Sequence, residues 1–391
     1  MAKTPISGRF PVGESVTIED LRTAPYGTLA QMRSTEPVSW IPALGAWFIT
    51  RRDLAIEAMR DADRFTVDDD RFTTAKVLGT SMLSLDGPEH GRHRSAFTAP
   101  FRPKFIREEF EQRIHTRAQI LVSDARSSDL IELRTAVAGP LAVGTILDVL
   151  GLTEVDAADV ADWYGAFGQA IVALTVGDPV RPDVQTVLDQ LYRTVGDAMG
   201  SDDASLIRTL VNERILRPDE IPAAVAVVMF GAIETSEAMT ANALWHLLSD
   251  PETLDRVLDD RSLIPAVVDE SLRLEPAAAW IDRYTTSAFT FGGVELGERD
   301  LVTISLLGAN RDPDVFDEPD VFDIDRPNLA QHVTFVQGPH TCVGLHVARA
   351  ETNAAINAVL DQMPNIELDT SASTAPEGLI FRKAAAVVAR T

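Results

Sequence analysis

The stretch from His332 to Glu351, HVTFVQGPHTCVGLHVARAE, contains the only cysteine of this 391-residue chain, Cys342. A thiolate is a strong, soft metal ligand. The helical sequence that follows would point its first backbone N–H groups at the sulfur. Gly338 and Gly344 would let the backbone approach something flat and bulky. The stretch is therefore compatible with a metal or cofactor site built around one thiolate.

Three other roles are open to Cys342 on residue type alone. It could be an inert buried cysteine, a catalytic nucleophile, or a zinc ligand together with His340 and His346. A zinc site would lack a fourth ligand at a suitable spacing. One cysteine also excludes a disulfide scaffold and fits a reducing cytosol.

Composition indicates a soluble protein with a substantial core, since 45% of the residues are apolar. The start of the chain, MAKTPISGRF, lacks the apolar stretch of a signal peptide. The longest apolar run, IPAAVAVVMFGAI at 221–233, is too short to cross a bilayer. A net charge of −24 argues against nucleic-acid binding. We expect a cytoplasmic protein that binds neither nucleic acid nor membranes.

Helical periodicity dominates the chain, at 51–65, 103–125, 183–199 and 351–363. Short strands separated by turns are expected within 36–50, 282–305 and 365–390. No repeat and no linker divides the chain. The pattern predicts one mainly α domain over residues 1–391, with a small β region.

The spacing around Cys342 carries a family resemblance. Phe335, Gly338, His340, Cys342 and Gly344, followed by Ala-Arg at 348–349 and an acid at 351, resemble the haem-binding signature of the cytochrome P450 family. The resemblance implies a buried haem b in a cytochrome P450 fold, with Cys342 as the axial thiolate of the iron. The family usually has a small or polar residue after the phenylalanine, where this chain has Val336.

Glu270 and Arg273 lie three residues apart, which places them on one face of a helix. By themselves they could form an ordinary surface salt bridge. Together with Arg326 they resemble the buried Glu-Arg-Arg network of the family. That resemblance implies a structural role, in which the network supports the cysteine loop.

Glu234 and Thr235 close the long apolar run, where an unpaired acid would be costly to bury. The helix could simply reach water at Glu234. The order small-small-x-acid-threonine resembles the central helix of the family over the distal face of the haem. The resemblance implies that Thr235 hydrogen-bonds dioxygen and that Glu234 relays protons.

His90 and Arg94 lie four residues apart, as a pair reaching one anion would. A solvated basic helix face is the alternative. The resemblance implies that they contact the haem propionates, together with Arg283 and His340.

The resemblance also places the substrate pocket. Its walls are expected to be almost entirely apolar, which fits a terpenoid, polyketide, fatty acid or steroid-like molecule. They comprise Met82, Leu83, Val228, Ala232, Ala278, Ala279, Trp280, Ile281, Leu379 and Ile380.

The expected reaction is insertion of one oxygen atom from O₂ into an apolar small molecule, by hydroxylation or epoxidation. The resemblance implies a monomer that receives electrons from a separate ferredoxin and its NAD(P)H-dependent reductase. The basic segment from Arg92 to Arg117 could dock an acidic ferredoxin. Peroxide-driven or oxygen-independent haem chemistry is one alternative function. A non-enzymatic Cys/His metal or redox-sensing protein is the other.

Overall fold

The computed structural model describes residues 8–126, 129–201 and 205–390. The α-helices are α1 (Pro11–Ser15), α2 (Ile18–Thr23), α3 (Tyr26–Thr35), α4 (Arg52–Arg60), α5 (Thr73–Leu78), α6 (Gly87–Thr98), α7 (Pro103–Phe105), α8 (Glu111–Ala125), α9 (Gly139–Leu150), α10 (Ala157–Val176), α11 (Val184–Gly200), α12 (Leu206–Glu213), α13 (Ile221–Ser249), α14 (Pro251–Asp259), α15 (Ile264–Leu274), α16 (Leu306–Ala309) and α17 (Leu345–Gln362). The strands are β1 (Val38–Ile41), β2 (Ala46–Ile49), β3 (Phe65–Thr66), β4 (Leu130–Glu132), β5 (Trp280–Thr285), β6 (Phe289–Phe291), β7 (Val294–Leu296), β8 (Leu301–Ser305), β9 (Glu367–Leu368), β10 (Pro376–Glu377), β11 (Lys383–Ala384) and β12 (Val388–Arg390). The predicted fold class, mainly helical with a small β region, is confirmed.

The longest of these helices, α13, runs through the centre of the fold for 29 residues. It packs against α9, α10, α11, α15 and α17, which buries it on nearly every side. The apolar run is therefore part of a longer buried helix, which continues past Glu234 to Ser249. By length and composition alone, this helix is long and apolar enough to cross a membrane. Because 67% of its most apolar window is buried inside the protein, it is a typical core helix.

The main sheet has the strand order β1-β2-β8-β5-β3. The expected hairpin near the start of the chain is β1–β2, in which Trp40 faces Trp47. Strand β5 pairs antiparallel with β8, and this pairing positions Arg283 opposite Val302. Strands β3 and β4 lie outside the expected β portions, because strands of two or three residues show too little alternation to be recognised.

A buried ion-pair network ties the irregular segment after α16 to α15. Arg273 donates to both oxygens of Glu270, at 2.7 Å each, and Arg326 Nε donates to Glu270 Oε1 at 2.9 Å. Both guanidinium groups also donate to backbone carbonyls between residues 310 and 321. Paired in this way, three buried charges hold a stretch of chain that has no secondary structure of its own.

The same helix carries the segment that leads to Cys342. Thr334 Oγ1 donates to the carbonyl of Leu272 on α15 at 2.7 Å. Asn310 donates to Thr334 Oγ1 at 2.8 Å and accepts from the Val333 amide at 2.7 Å. These hydrogen bonds therefore attach the cysteine loop to α15, beside the segment that the buried ion pairs hold in place.

Helix α17 brings a carboxyl group, Glu351, into the core between α13 and α9. The group is 2% exposed, and the hydroxyls of Ser236 and Thr145 lie beside it. Its Oε2 atom has no hydrogen-bond partner within the described part of the chain. Burial penalises the charged form and raises the pKa of Glu351 to about 8, although both hydroxyls and Arg117 act in the opposite direction. At neutral pH the folded protein therefore holds this group mainly uncharged.

We predict that Glu351→Gln makes the stability of the fold less dependent on pH. The folded-state pKa lies above the unfolded one, so the parent loses stability as the pH rises from about 4.5 towards 8. Between pH 5 and 8 the variant should lose on the order of 3 kcal/mol less than the parent. Urea unfolding at pH 5, 6.5 and 8 measures this, with the exposed Glu367→Gln as control. Parallel curves for the parent and Glu351→Gln would contradict the prediction.

Candidate functional site

A cavity of about 330 Å³ lies between α13, β5 and the loop that carries Cys342. This volume lies within the usual range of small-molecule pockets. Its walls are mainly apolar. Arg94, Arg283, His340 and Cys342 all line it. Four segments far apart in the sequence (α6, α13, β5 and the cysteine loop) therefore meet at one site.

Cys342 is exposed only towards this cavity and is otherwise surrounded by protein. Its amide donates to the carbonyl of Phe335 at 2.9 Å, which closes the loop. Burial raises the pKa of the Cys342 thiol, although the amides of Gly344 and Leu345 and the charge of Arg94 favour the thiolate. A coordinated metal cation would reverse this balance, because metal-bound thiols are deprotonated.

Two residues of the cysteine loop adopt the left-handed backbone conformation. Gly338 has φ of +81°, and a Cβ atom there would lie 2.7 Å from the carbonyl oxygen of Met59 on α4. Position 338 therefore requires glycine because the loop contacts α4 there. The sequence had instead suggested that this glycine leaves room for a flat group. Gly344 fits that expectation better, since its missing Cβ faces the Cys342 sulfur at 3.9 Å. Val336 has φ of +61°, a costly value for a β-branched side chain.

The groups expected to bind an anion gather on one side of the cysteine. Arg94 Nη2 donates to the carbonyl of Thr341 at 2.6 Å, and Arg283 Nη1 donates to that of Asp282 at 2.8 Å. Neither guanidinium forms a salt bridge with a carboxylate of the described residues, although both are at least partly buried. Burial lowers the pKa of Arg283 to about 10.

The two histidines of this group have different surroundings. The ring centroids of His90 and His340 are 4.3 Å apart, but only His340 lines the cavity. His90 Nε2 has no hydrogen-bond partner in the described ranges, and burial lowers the pKa of His90 to about 4. His340 Nε2 lies 2.8 Å from Asp86 Oδ1.

Asp86 lies directly before α6 and was given no role by the sequence. Burial opposes its charge, yet hydrogen bonds from His340, Thr66 and the Val67 amide lower the pKa of Asp86 to about 2. It is therefore a carboxylate that orients His340. Its position directly before α6 was the only signal in the sequence.

These groups fit a haem-thiolate cofactor. A haem presents an iron that needs a soft axial ligand and two carboxylates that need positive partners. Cys342 supplies a sulfur facing the cavity, and Arg94 and Arg283 supply cations without carboxylate partners. The zinc alternative does not fit. Within residues 8–126, 129–201 and 205–390, the side chains close enough together to share a metal ion are Glu89, His93 and Glu220. This group does not include Cys342, and Arg92 already pairs with both of its acids.

Helix α13 presents two different faces at the site. Gly231, Ala232 and Thr235 line the cavity, and Thr235 Oγ1 donates to the carbonyl of Gly231. Glu234 does not line the cavity. Its Oε1 lies 3.0 Å from Lys383 Nζ, on the side of α13 that faces the β10–β11 hairpin.

Most of the expected pocket residues line the cavity. These are Met82, Leu83, Val228, Ala232, Ala278, Trp280, Ile281 and Ile380, together with Phe335 of the loop. Ala279 and Leu379 are buried elsewhere. The sequence missed the wall residues Phe72, Thr73, Thr74, Phe101, Ile171, Phe230, Met239 and Phe381. Phe230 and Phe381 lie close to residues that the sequence did predict for the pocket, whereas no local sequence pattern marks the others.

Fewer cations of the segment from Arg92 to Arg117 are exposed and unpaired than the sequence suggests. Arg92 pairs with Glu89 and Glu220, Arg94 lines the cavity, and Arg117 pairs with Asp148 at 2.7 Å. The exposed cations are Arg102, Lys104, Arg107 and Arg113, with the exposed Phe105 among them. We call this set the α7–α8 patch. The exposed acids Glu108, Glu109 and Glu111 lie beside them, and Glu108 Oε1 is 3.8 Å from Lys104 Nζ.

Comparison with known proteins agrees with this geometry. The family profile described as Cytochrome P450 matches residues 184–363. The chain is 28% identical over 387 residues to pulcherriminic acid synthase of Bacillus subtilis, covering 94% of this chain and 95% of that one. It is 29% identical over 362 residues to erythromycin C-12 hydroxylase of Saccharopolyspora erythraea, covering 89% of each.

Solved structures give the same result. P450BioI, in complex with an acyl carrier protein bearing hexadec-9Z-enoic acid, superposes with a TM-score of 0.85 at 25% identity, covering 96% of this chain and 100% of that one. HmtN, a post-tailoring hydroxylase of himastatin biosynthesis, gives a TM-score of 0.80 at 25% identity with the same coverage. The predicted resemblance to the cytochrome P450 family and the predicted fold are confirmed.

Proposed function

We propose that this protein is a soluble, cytoplasmic monooxygenase that hydroxylates or epoxidises an apolar small molecule, using haem b and electrons from a ferredoxin. The observation that carries the proposal is the single thiol of Cys342, which faces an apolar cavity beside two guanidinium groups that form no salt bridge with any described residue. In the reaction, one atom of O₂ enters the substrate and the other leaves as water. Two electrons and two protons are consumed.

Different residues around Cys342 would bind the iron and the propionates of the cofactor. Cys342 would ligate the iron, and Arg94, Arg283 and His340 would pair with the propionates, with His90 behind His340. Asp86 fixes the His340 ring through the 2.8 Å contact. When bound through a thiolate, the haem supplies the activation of dioxygen.

The opposite wall would bind the substrate and manage protons. Val228, Trp280 and Ile380 give it an apolar surface that excludes water. Thr235 presents its hydroxyl at the cavity, and Glu234 lies on the outer side of the same turn. In this arrangement Glu234 takes up protons from its solvent side and Thr235 passes them to the cavity. The names of the relatives, a synthase and two hydroxylases of natural products, support a natural product as substrate.

Replacement of Cys342 tests the cofactor directly. The parent should contain iron and show, when reduced and bound to CO, the red-shifted Soret band of thiolate ligation. Cys342→Ser should lose that band, because an alcohol is a harder and far less acidic ligand. Absence of iron or of the band in the parent would contradict the proposal and favour a protein without haem.

Replacing Thr235 is expected to change how much product each electron pair yields, and to leave substrate binding unchanged. In Thr235→Ala, NAD(P)H should still be consumed, but product per electron pair should fall by up to about a hundredfold. Thr235→Ser keeps the hydroxyl and should retain most of the yield. Equal losses in both variants, or a matching loss of substrate affinity in a titration of the haem spectrum, would count against the proton role.

The α7–α8 patch is the proposed contact for ferredoxin. Arg102→Glu and Arg113→Glu should each slow reduction by ferredoxin roughly three- to tenfold at low salt, with less effect at high salt, because rim charges act mainly on association. Reduction by dithionite should be unchanged. Arg193→Glu, an exposed change on α11, is the control. Equal ferredoxin rates in the parent and both patch variants would remove this docking site.

A further inference from the structure

Asp282 on β5 is the acidic residue among the described residues that line the cavity, and the proposed function gives it no role. Thr303 Oγ1, on the neighbouring strand β8, donates to Asp282 Oδ1 at 2.7 Å. Within residues 8–126, 129–201 and 205–390, no side chain or amide forms a hydrogen bond or salt bridge with Oδ2. One carboxylate oxygen is therefore available on the cavity wall.

The side chain of Asp282 points away from the groups expected to bind the propionates. Arg283 belongs to those groups, since its charge lowers the pKa of His340. Successive residues of a strand face opposite sides of the sheet, so Asp282 shares its side with Trp280 and not with Arg283. The Trp280 ring packs edge-on against Phe48, with 5.8 Å between the ring centroids. Asp282 therefore belongs to the aromatic wall of the cavity.

The Asp282 carboxylate has too little positive charge around it. Burial raises the pKa of Asp282, while the hydrogen bond from Thr303 and the charge of Arg283 act in the opposite direction. Arg283 directs its Nη1 to the carbonyl of Asp282 and not to the carboxylate. Because a buried charge is costly unless it is paired, a cation supplied by a ligand would stabilise this side chain.

A protonated amine is the ligand group that fits this position. Its N–H supplies the hydrogen bond that Oδ2 lacks, and its charge makes that bond stronger than a neutral one. A hydrocarbon would leave the oxygen unsatisfied. Trp280 and Phe72 line the same cavity, and Phe72 packs in one cluster with Tyr284, the next residue on the Asp282 side of β5. Aromatic rings also attract a cation.

We propose that Asp282 is a specificity-determining residue, whose Oδ2 binds a protonated amine of a substrate that is otherwise apolar. The inference deepens the proposed function and rests on it, because it names the substrate class of the same cavity. The amine would anchor one end of the substrate at β5, and the apolar walls would enclose the remainder.

Two probes with one carbon skeleton test the charge preference in the parent. Cyclohexylmethylamine is protonated at neutral pH, and cyclohexylmethanol is its uncharged counterpart. Calorimetric titration of the haem-loaded parent should give an affinity about tenfold higher for the amine, because a hydrogen bond between charged groups is worth more than a neutral one. An amine that binds no more tightly than the alcohol would overturn the proposal.

Replacement of the carboxylate locates the preference at Asp282. Asp282→Asn keeps the shape of the side chain and should lower the affinity for the amine about tenfold, and that for the alcohol less than about twofold. The exposed Asp259→Asn is the matched control and should equal the parent with both probes. Equal amine affinity in the parent and Asp282→Asn would remove the assignment. If Asp282→Asn does not fold, the comparison of the two probes in the parent decides.

The haem spectrum distinguishes binding at Asp282 from binding to the iron. An amine held at Asp282 should leave the Soret band in place or shift it to shorter wavelength, as loss of an iron-bound water does. A shift to longer wavelength on addition of the amine would show a nitrogen ligand on the iron and would count against Asp282.

Failure of the proposed function gives a different result. A parent without the thiolate band in its CO spectrum would overturn the monooxygenase itself. A parent that has the band but shows no preference for the amine would overturn the role of Asp282 alone. The calorimetric comparison needs no turnover, so the two results are obtained independently.

Discussion

The requirement to hold one buried sulfur at a fixed point governs much of this structure. Cys342 lies in a loop without secondary structure, so its position depends on contacts made by other segments. The bidentate pairing of Arg273 with Glu270 fixes the segment after α16, and Thr334 ties the loop to α15. On the other side, the missing side chain of Gly338 lets the loop lie directly on the α4 backbone. Losing either anchor would therefore displace the sulfur as well as destabilise the fold.

The left-handed conformation of Val336 shows how strongly this loop is constrained. An L-residue at φ of +61° costs roughly 1–2 kcal/mol, and a β-branched side chain makes the conformation rarer still. The conformation persists because the Val336 amide donates to Val333 and the Cys342 amide donates to Phe335, which together fix the turn. Val336 also lines the cavity, so the strained residue contributes its own apolar surface to the site. Val336 thus shapes part of the cavity wall while these hydrogen bonds close the loop.

The sequence predicted the cysteine side of the site better than the helix side. Arg94, Arg283 and His340 line one cavity with Cys342, as the resemblance to the family implied. The direction of Glu234 could not be predicted in the same way. It depends on Lys383, about 150 residues later, and on the register that Asn242 imposes between the hairpin and α13. The full length of α13 was also missed, because tertiary packing buries polar residues that end an apolar run in the sequence. Long-range register and shared burial leave no periodicity in a single sequence.

Helix α13 can serve two environments because its faces are separated within a single turn. Thr235 faces the cavity, and Glu234, the preceding residue, pairs with Lys383 on the outer side of the helix. An acid placed directly on the cavity wall would carry a charge into apolar surroundings and would compete with the substrate for space. Placed one residue earlier, it pairs with Lys383 outside the cavity. The structure therefore keeps this carboxylate within one residue of the cavity wall and outside the apolar pocket.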